Sequence, residues 1–122
     1  MACGALIGEG LLVGAAVTPV GMTVTKVSRI EAGDERGGQP RLWTFIEFDL
    51  PDDNAPEWAQ QLVDALDSEH GWYCDFNTAT EKFVVFSGRI FRYPRGNLRR
   101  RAEAADHARS VGVPEHQLDW PE

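Results

Sequence analysis

The sequence predicts an α+β domain, helices packed on an antiparallel sheet, and three observations carry that prediction. Runs of alternating apolar and polar residues rich in β-branched and aromatic side chains recur at residues 22–31, 41–50, 71–76 and 81–94. Two segments, 54–69 and 97–112, instead space their apolar residues at helical intervals. From Trp43 onward the order is strand, helix, strand, strand, helix, with room for a closing strand at the end. That order is the ferredoxin-like split β-α-β pattern, with two helices on one face of the sheet and one or two extra N-terminal strands ahead of it.

Each element has its own local reason. "LLVGAAV", Leu11 to Val17, is a short apolar segment closed by the turn residues of "TPVG". "MTVTKVSRIE" is strand-like, and "RLWTFIEFDL" alternates cleanly: Leu42, Thr44, Ile46, Phe48 and Leu50 share one face, Trp43, Phe45, Glu47 and Asp49 the other. The polar, Gly-rich residues 32–40 between them read as a flexible loop in a long hairpin. In "PDDNAPEWAQQLVDALDSEHG", Asn54 and Glu57 have capping-box spacing and Gly71 is placed to stop the helix. Trp58, Leu62, Val63, Ala65 and Leu66 form its buried stripe. "GWYCDF" and "EKFVVFSGRIFRYP" read as a second hairpin, with Gly88 as a bulge inside one long strand. Asn97 caps a second helix that Gly112 and Pro114 end.

A chain of 122 residues with 43% hydrophobic and 25% charged residues reads as a single domain over 1–122 with a core of ordinary size. Cys3 and Cys74 make no disulfide framework, and reduced thiols point to the cytoplasm. The apolar start lacks a basic leader and is interrupted by Glu9, so neither a signal peptide nor a membrane span is expected.

The phrases "GWYCDF", "FVVFSGRIFRYPRG" and "GVPEHQLDWPE" resemble small bacterial proteins, of an actinobacterial type, that have no assigned activity. The resemblance covers roughly the last half of the chain and implies no substrate and no functional residue. "KFVVFSGRIF" lacks the basic-glycine-aromatic signature of the RNA-recognition motif.

Catalytic signatures are sparse. Cys74 alternates with Trp72 and Phe76, a core setting, and the adjacent Asp75 opposes thiolate formation. His70, His107 and His116 have no metal-ligand spacing, and no phosphate or dinucleotide glycine motif is present, so no cofactor is expected. The anomaly is charge. Residues 1–88 carry a net −9 and residues 102–122 a net −4, while residues 89–101 carry +6 in a chain of net −7. Arg99, Arg100 and Arg101 fall in the first turn of a helix, against its dipole; a bound anion reverses that penalty.

The first functional expectation is therefore a small soluble binding module that engages an anionic small molecule or an acidic protein surface. Its site is the arginine-rich turn: Arg92, Arg95, Gly96, Arg99 and Arg100. The competing expectation is a small enzyme on an oligomeric ferredoxin-like scaffold. Its site lies on the aromatic sheet face formed by Trp43, Glu47, Tyr73 and Asp75, with acid/base work by the last three. The acidic remainder of the chain disfavours nucleic acid as a partner, and homo-oligomerisation stays open. An open concavity lined by Tyr73 and Asp75 favours the enzyme; an arginine patch beside no cavity favours partner binding.

Overall fold

The computed structural model describes residues 1–32 and 38–122. Six strands, β1 (Ala2–Ile7), β2 (Thr23–Glu31), β3 (Leu42–Leu50), β4 (Cys74–Asn77), β5 (Glu81–Phe86) and β6 (Arg89–Pro94), form one sheet in the order β2-β3-β1-β4-β5-β6. All neighbours are antiparallel. Helix α1 (Ala55–Ala65) follows β3 and helix α2 (Leu98–Ser110) follows β6. Among the described residues no helix is long and apolar enough to cross a membrane.

The fold is α+β, but its strand order is not that of a ferredoxin-like core, and its helices lie on opposite faces. Strand alternation divides the core in two. Phe76, Phe83 and Val85 point to one side and pack with Trp58, Ala59, Leu62 and Leu66 of α1. Val84, Phe91 and Tyr93, one residue out of phase, point to the other side and pack with Ala104 and Ala108 of α2. The small residues of α2 let it lie close over β5 and β6. Helix α1 covers the middle of its face with larger side chains.

Strand β1 is the central surprise. The N-terminal "ACGALI", which no sequence pattern marked as a strand, threads between β3 and β4. Gly4 explains the fit: a Cβ there would stand 2.6 Å from the Cβ of Phe76 and 2.4 Å from the Asp75 carbonyl oxygen. Close approach of this kind is where a strand glycine belongs.

Four further expectations are corrected. "EKFVVFSGRIFRYP" is two strands turning at Ser87–Gly88, where Gly88 has φ +73°, and not one bulged strand. Helix α1 ends at Ala65, short of Glu69, because residues 10–12 capture its end: Leu12 N–H donates to the Ala65 carbonyl and Asp67 N–H to that of Gly10. Asn54 makes no side-chain cap; its Nδ2 donates to the Val20 carbonyl at 2.8 Å. No closing strand forms among the described residues; after a 3-10 turn at Glu115–Gln117, Leu118 and Trp120 serve as anchors in the core under α2. The loop expected over 32–40 lies partly outside the described residues; of its described end, Gln39 is buried.

Candidate functional site: a trough on the open sheet face

Helix α2 covers only the β5–β6 side of its face. The rest, over β4, β1 and β3, holds a cleft of about 970 Å³. The register shows why it is concave. On this face β1 presents the small side chains Cys3 and Ala5 and the half-buried Ile7. Ala5 lies between Glu47 on β3 and Asp75 on β4; Cys3 lies between Asp49 and Asn77. Small residues on the central strand, flanked by larger ones, make a trough. At one end Trp43 and Trp72 meet edge to face, ring centroids 5.4 Å apart.

All four sheet-face candidates, Trp43, Glu47, Tyr73 and Asp75, line this cleft. Trp43 is fixed by donating its indole N–H to the Pro40 carbonyl at 3.0 Å. Tyr73 donates its hydroxyl to the Gln117 main-chain oxygen. Burial first, and the Asp75 charge second, push the Tyr73 pKa up, so it holds its proton.

The floor carries a residue that sequence reasoning missed. Lys82 is fully buried, and its Nζ donates to Asp75 Oδ2 at 2.6 Å across a diagonal of the β4–β5 pair. Burial lowers the Lys82 pKa and the Asp75 charge opposes that shift. The signal was present in "EKFVVF": Lys82 shares period-2 phase with Val84 and Phe86, so a lysine stood at a core-facing position. Asp75 keeps about a fifth of its side chain exposed to the cleft (22%). Beside it, the Asn77 Oδ1 is buried without a hydrogen-bond partner among the described residues.

Cys74, on the opposite face, is 1% exposed and donates to the Ala5 carbonyl at 3.3 Å. Burial raises its pKa well above the ordinary value, as expected of a structural thiol. Cys3 does face the trough, but hydrogen bonding to Asp49 and partial burial raise its pKa too.

The arginine turn is built differently. Gly96 adopts φ +85° in the exposed turn between β6 and α2, and Asn97 caps α2 by accepting from the Arg100 N–H at 3.1 Å. Arg92 grips Glu81 through two bonds of 2.7 and 2.8 Å. Arg95 donates to main-chain oxygens of Thr78, Ala79 and Glu122. Arg100 lies 3.1 Å from Glu103, and Arg101 bonds Glu122 at 2.7 Å while stacking over Trp120. Arg99 alone of this group is exposed with neither an ion pair nor a side-chain hydrogen bond among the described residues. The candidates are therefore not brought together around one point. Two of these arginines, Arg95 and Arg101, fasten residues 118–122, and Arg95 also stands at the cleft's edge.

The segment they hold is a wall of the trough. His116, Gln117 and Asp119 line it, and Gln117 exchanges side-chain hydrogen bonds with Gln39 at 3.0 and 3.3 Å. None of these wall residues carried a sequence motif; the topology alone gathers them.

No protein-family model, curated protein or solved structure matches this chain. The site is thus read from its own geometry and chemistry.

Proposed function

We propose that this protein binds a small molecule in the trough on the open sheet face, with aromatic side chains holding the ligand's apolar part and Asp75 anchoring a polar group. The observation that carries this reading is the cleft itself. Its volume of about 970 Å³ lies at the upper end of small-molecule sites, and it combines aromatic walls with a few convergent polar groups. The Lys82–Asp75 pair at its floor supports the reading, because a buried ion pair contributes little net stability, and a titratable group shifted by burial beside a charge partner in a cleft is a functional-site candidate. Asp75 is the group best placed for acid/base work if the ligand is a substrate: it is partly exposed, and Lys82 fixes its orientation.

The arginine turn is the weaker reading, since most of its guanidinium groups are already spent on protein oxygens. The test uses the indole N–H signals of the four tryptophans in two-dimensional NMR. Trp43 and Trp72 line the trough, whereas Trp58 lies in the α1 core. Ligands from a metabolite-like library should shift the first two and leave Trp58 in place. Ala5→Leu points a larger side chain into the trough floor, away from α1, and should abolish those shifts while the folded spectrum persists. Shifts that survive in Ala5→Leu would place the ligand elsewhere and refute the proposal.

A further inference from the structure

We infer that the ligand of this trough is an organic cation, an amine or ammonium group attached to an apolar body. The inference rests on the trough being the binding site and adds the charge class of its occupant. Four carboxylates line the cleft: Glu47, Asp49, Asp75 and Asp119. Three full positive charges face them, and all are committed. The Met1 amino group lies 3.2 Å from Asp52, a carboxylate outside the cleft. Lys82 is buried against Asp75, and Arg95 is taken up by three main-chain oxygens. His116, the remaining titratable base of the lining, is exposed at the wall.

What is left over is negative. Glu47 has only the exposed Lys26 of the edge strand, 4.0 Å away, and Asp49 has no cationic partner among the described residues. These two are successive same-face residues of β3, about 7 Å apart along the strand. A cleft with one sign of charge concentrates ions of the other, and the chain as a whole adds a net −7.

The aromatic end gives the second, independent half of the argument. Trp43, Phe45, Trp72 and Tyr73 line the same cleft, and the faces of such rings attract ammonium groups. Aromatic walls with unpaired carboxylates are what an alkylammonium or arylalkylammonium ion needs, a face for its body and a counter-charge for its head. A bare metal ion fits less well, because among the described residues no three His, Cys, Asp or Glu side chains converge on one point. An anion meets uncompensated carboxylates and is excluded by the same groups.

Three probes of matched shape separate the possibilities: 2-phenylethylamine, 2-phenylethanol and 3-phenylpropionate, each titrated at pH 7 and low salt against the indole signals. The amine should bind about tenfold tighter than the alcohol, the scale of one partly desolvated cation–π contact or ion pair. The carboxylate should bind more weakly than the alcohol. Glu47→Gln with Asp49→Asn keeps the shape of the trough and should bring amine and alcohol to within about twofold of each other, with Asp49→Asn alone giving part of that loss. An alcohol or carboxylate that matches the amine while shifting Trp43 and Trp72 overturns the charge assignment and leaves the trough standing. An amine preference that survives the double change also overturns it. No shift of Trp43 or Trp72 by any of the three overturns the inference together with the site.

Discussion

Two charged regions of this molecule behave in opposite ways in space. The arginine turn concentrates six basic residues in 89–101, and the trough gathers carboxylates from β3 and β4. In the turn, the fold consumes the charge: Glu81, Glu103, Glu122 and main-chain oxygens answer most of the guanidinium groups. In the trough, among the described residues, only Asp75 is answered closely, by Lys82, while Glu47 has the exposed Lys26 at 4.0 Å and Asp49 has no cationic partner. Charge density by itself does not mark a site. Charge that the protein has left unanswered, next to a concavity, does.

The largest test of that contrast is Lys82, a buried trough residue whose charge the fold does consume. Lys82→Met preserves most of the buried stem and removes the ammonium. It should destabilise the protein by about 2–3 kcal/mol, below the cost of breaking a fully buried pair because Asp75 retains some access to water. Urea unfolding measures this from the midpoint at constant slope. Adding Asp75→Leu to the same chain should recover part of the loss, since the stranded carboxylate is then gone. A single-variant cost inside about 0.5 kcal/mol would mean that Lys82 is a spare charge like Glu47, and the distinction between the regions would fail.

The same contrast explains what was legible in the sequence. Period-2 alternation in "RLWTFIEFDL" placed Trp43 and Glu47 on one face, and "GWYCDF" placed Tyr73 with Asp75; both pairs line the trough. Helix α1 was legible from its apolar stripe, though Val63, placed in that stripe, is only half-buried. The concavity between the pairs was not legible, because it depends on β1. "ACGALI" is too short and too rich in small residues to announce a strand, and only long-range pairing with β3 and β4 makes it one. Those same small residues are the reason that the face is hollow. The helix faces were misread for a related reason: with β1 inserted and "EKFVVFSGRIFRYP" split into β5 and β6, the strand count changes, and α2 returns over the face opposite α1. A local pattern shows which residues share a face, and topology decides which faces meet.

Arg101 gives a middle-sized effect. Its bond to Glu122 and its stacking over Trp120 hold the segment that walls the trough. Both partners are about three-quarters buried, with side-chain exposures of 25% and 26%, so Arg101→Gln should cost about 1 kcal/mol. Thermal unfolding checks the stability. Amide exchange of residues 117–120 checks the cause, and it should quicken in this variant while exchange in α1 does not change. Unchanged exchange of that segment would show that Arg101 is not its fastening.

The smallest effect is the most discriminating. Arg99 is exposed and unpaired among the described residues, and Arg100 has only the i,i+3 contact with Glu103. Changing both to Gln removes two charges that oppose the α2 dipole and one weak surface pair, terms of opposite sign and similar size. The net change in stability should therefore stay within about 0.5 kcal/mol. Sulfate should stabilise the parent and the variant alike when each is compared with chloride at equal ionic strength, because a general salting effect does not depend on these residues. If sulfate instead gives the parent a saturable increment that the variant lacks, an anion site exists at the turn. In that event Arg99, which has neither an ion pair nor a side-chain hydrogen bond among the described residues, is its centre. The rule drawn from the comparison, that unanswered charge marks the site, then holds for a single residue without a cleft.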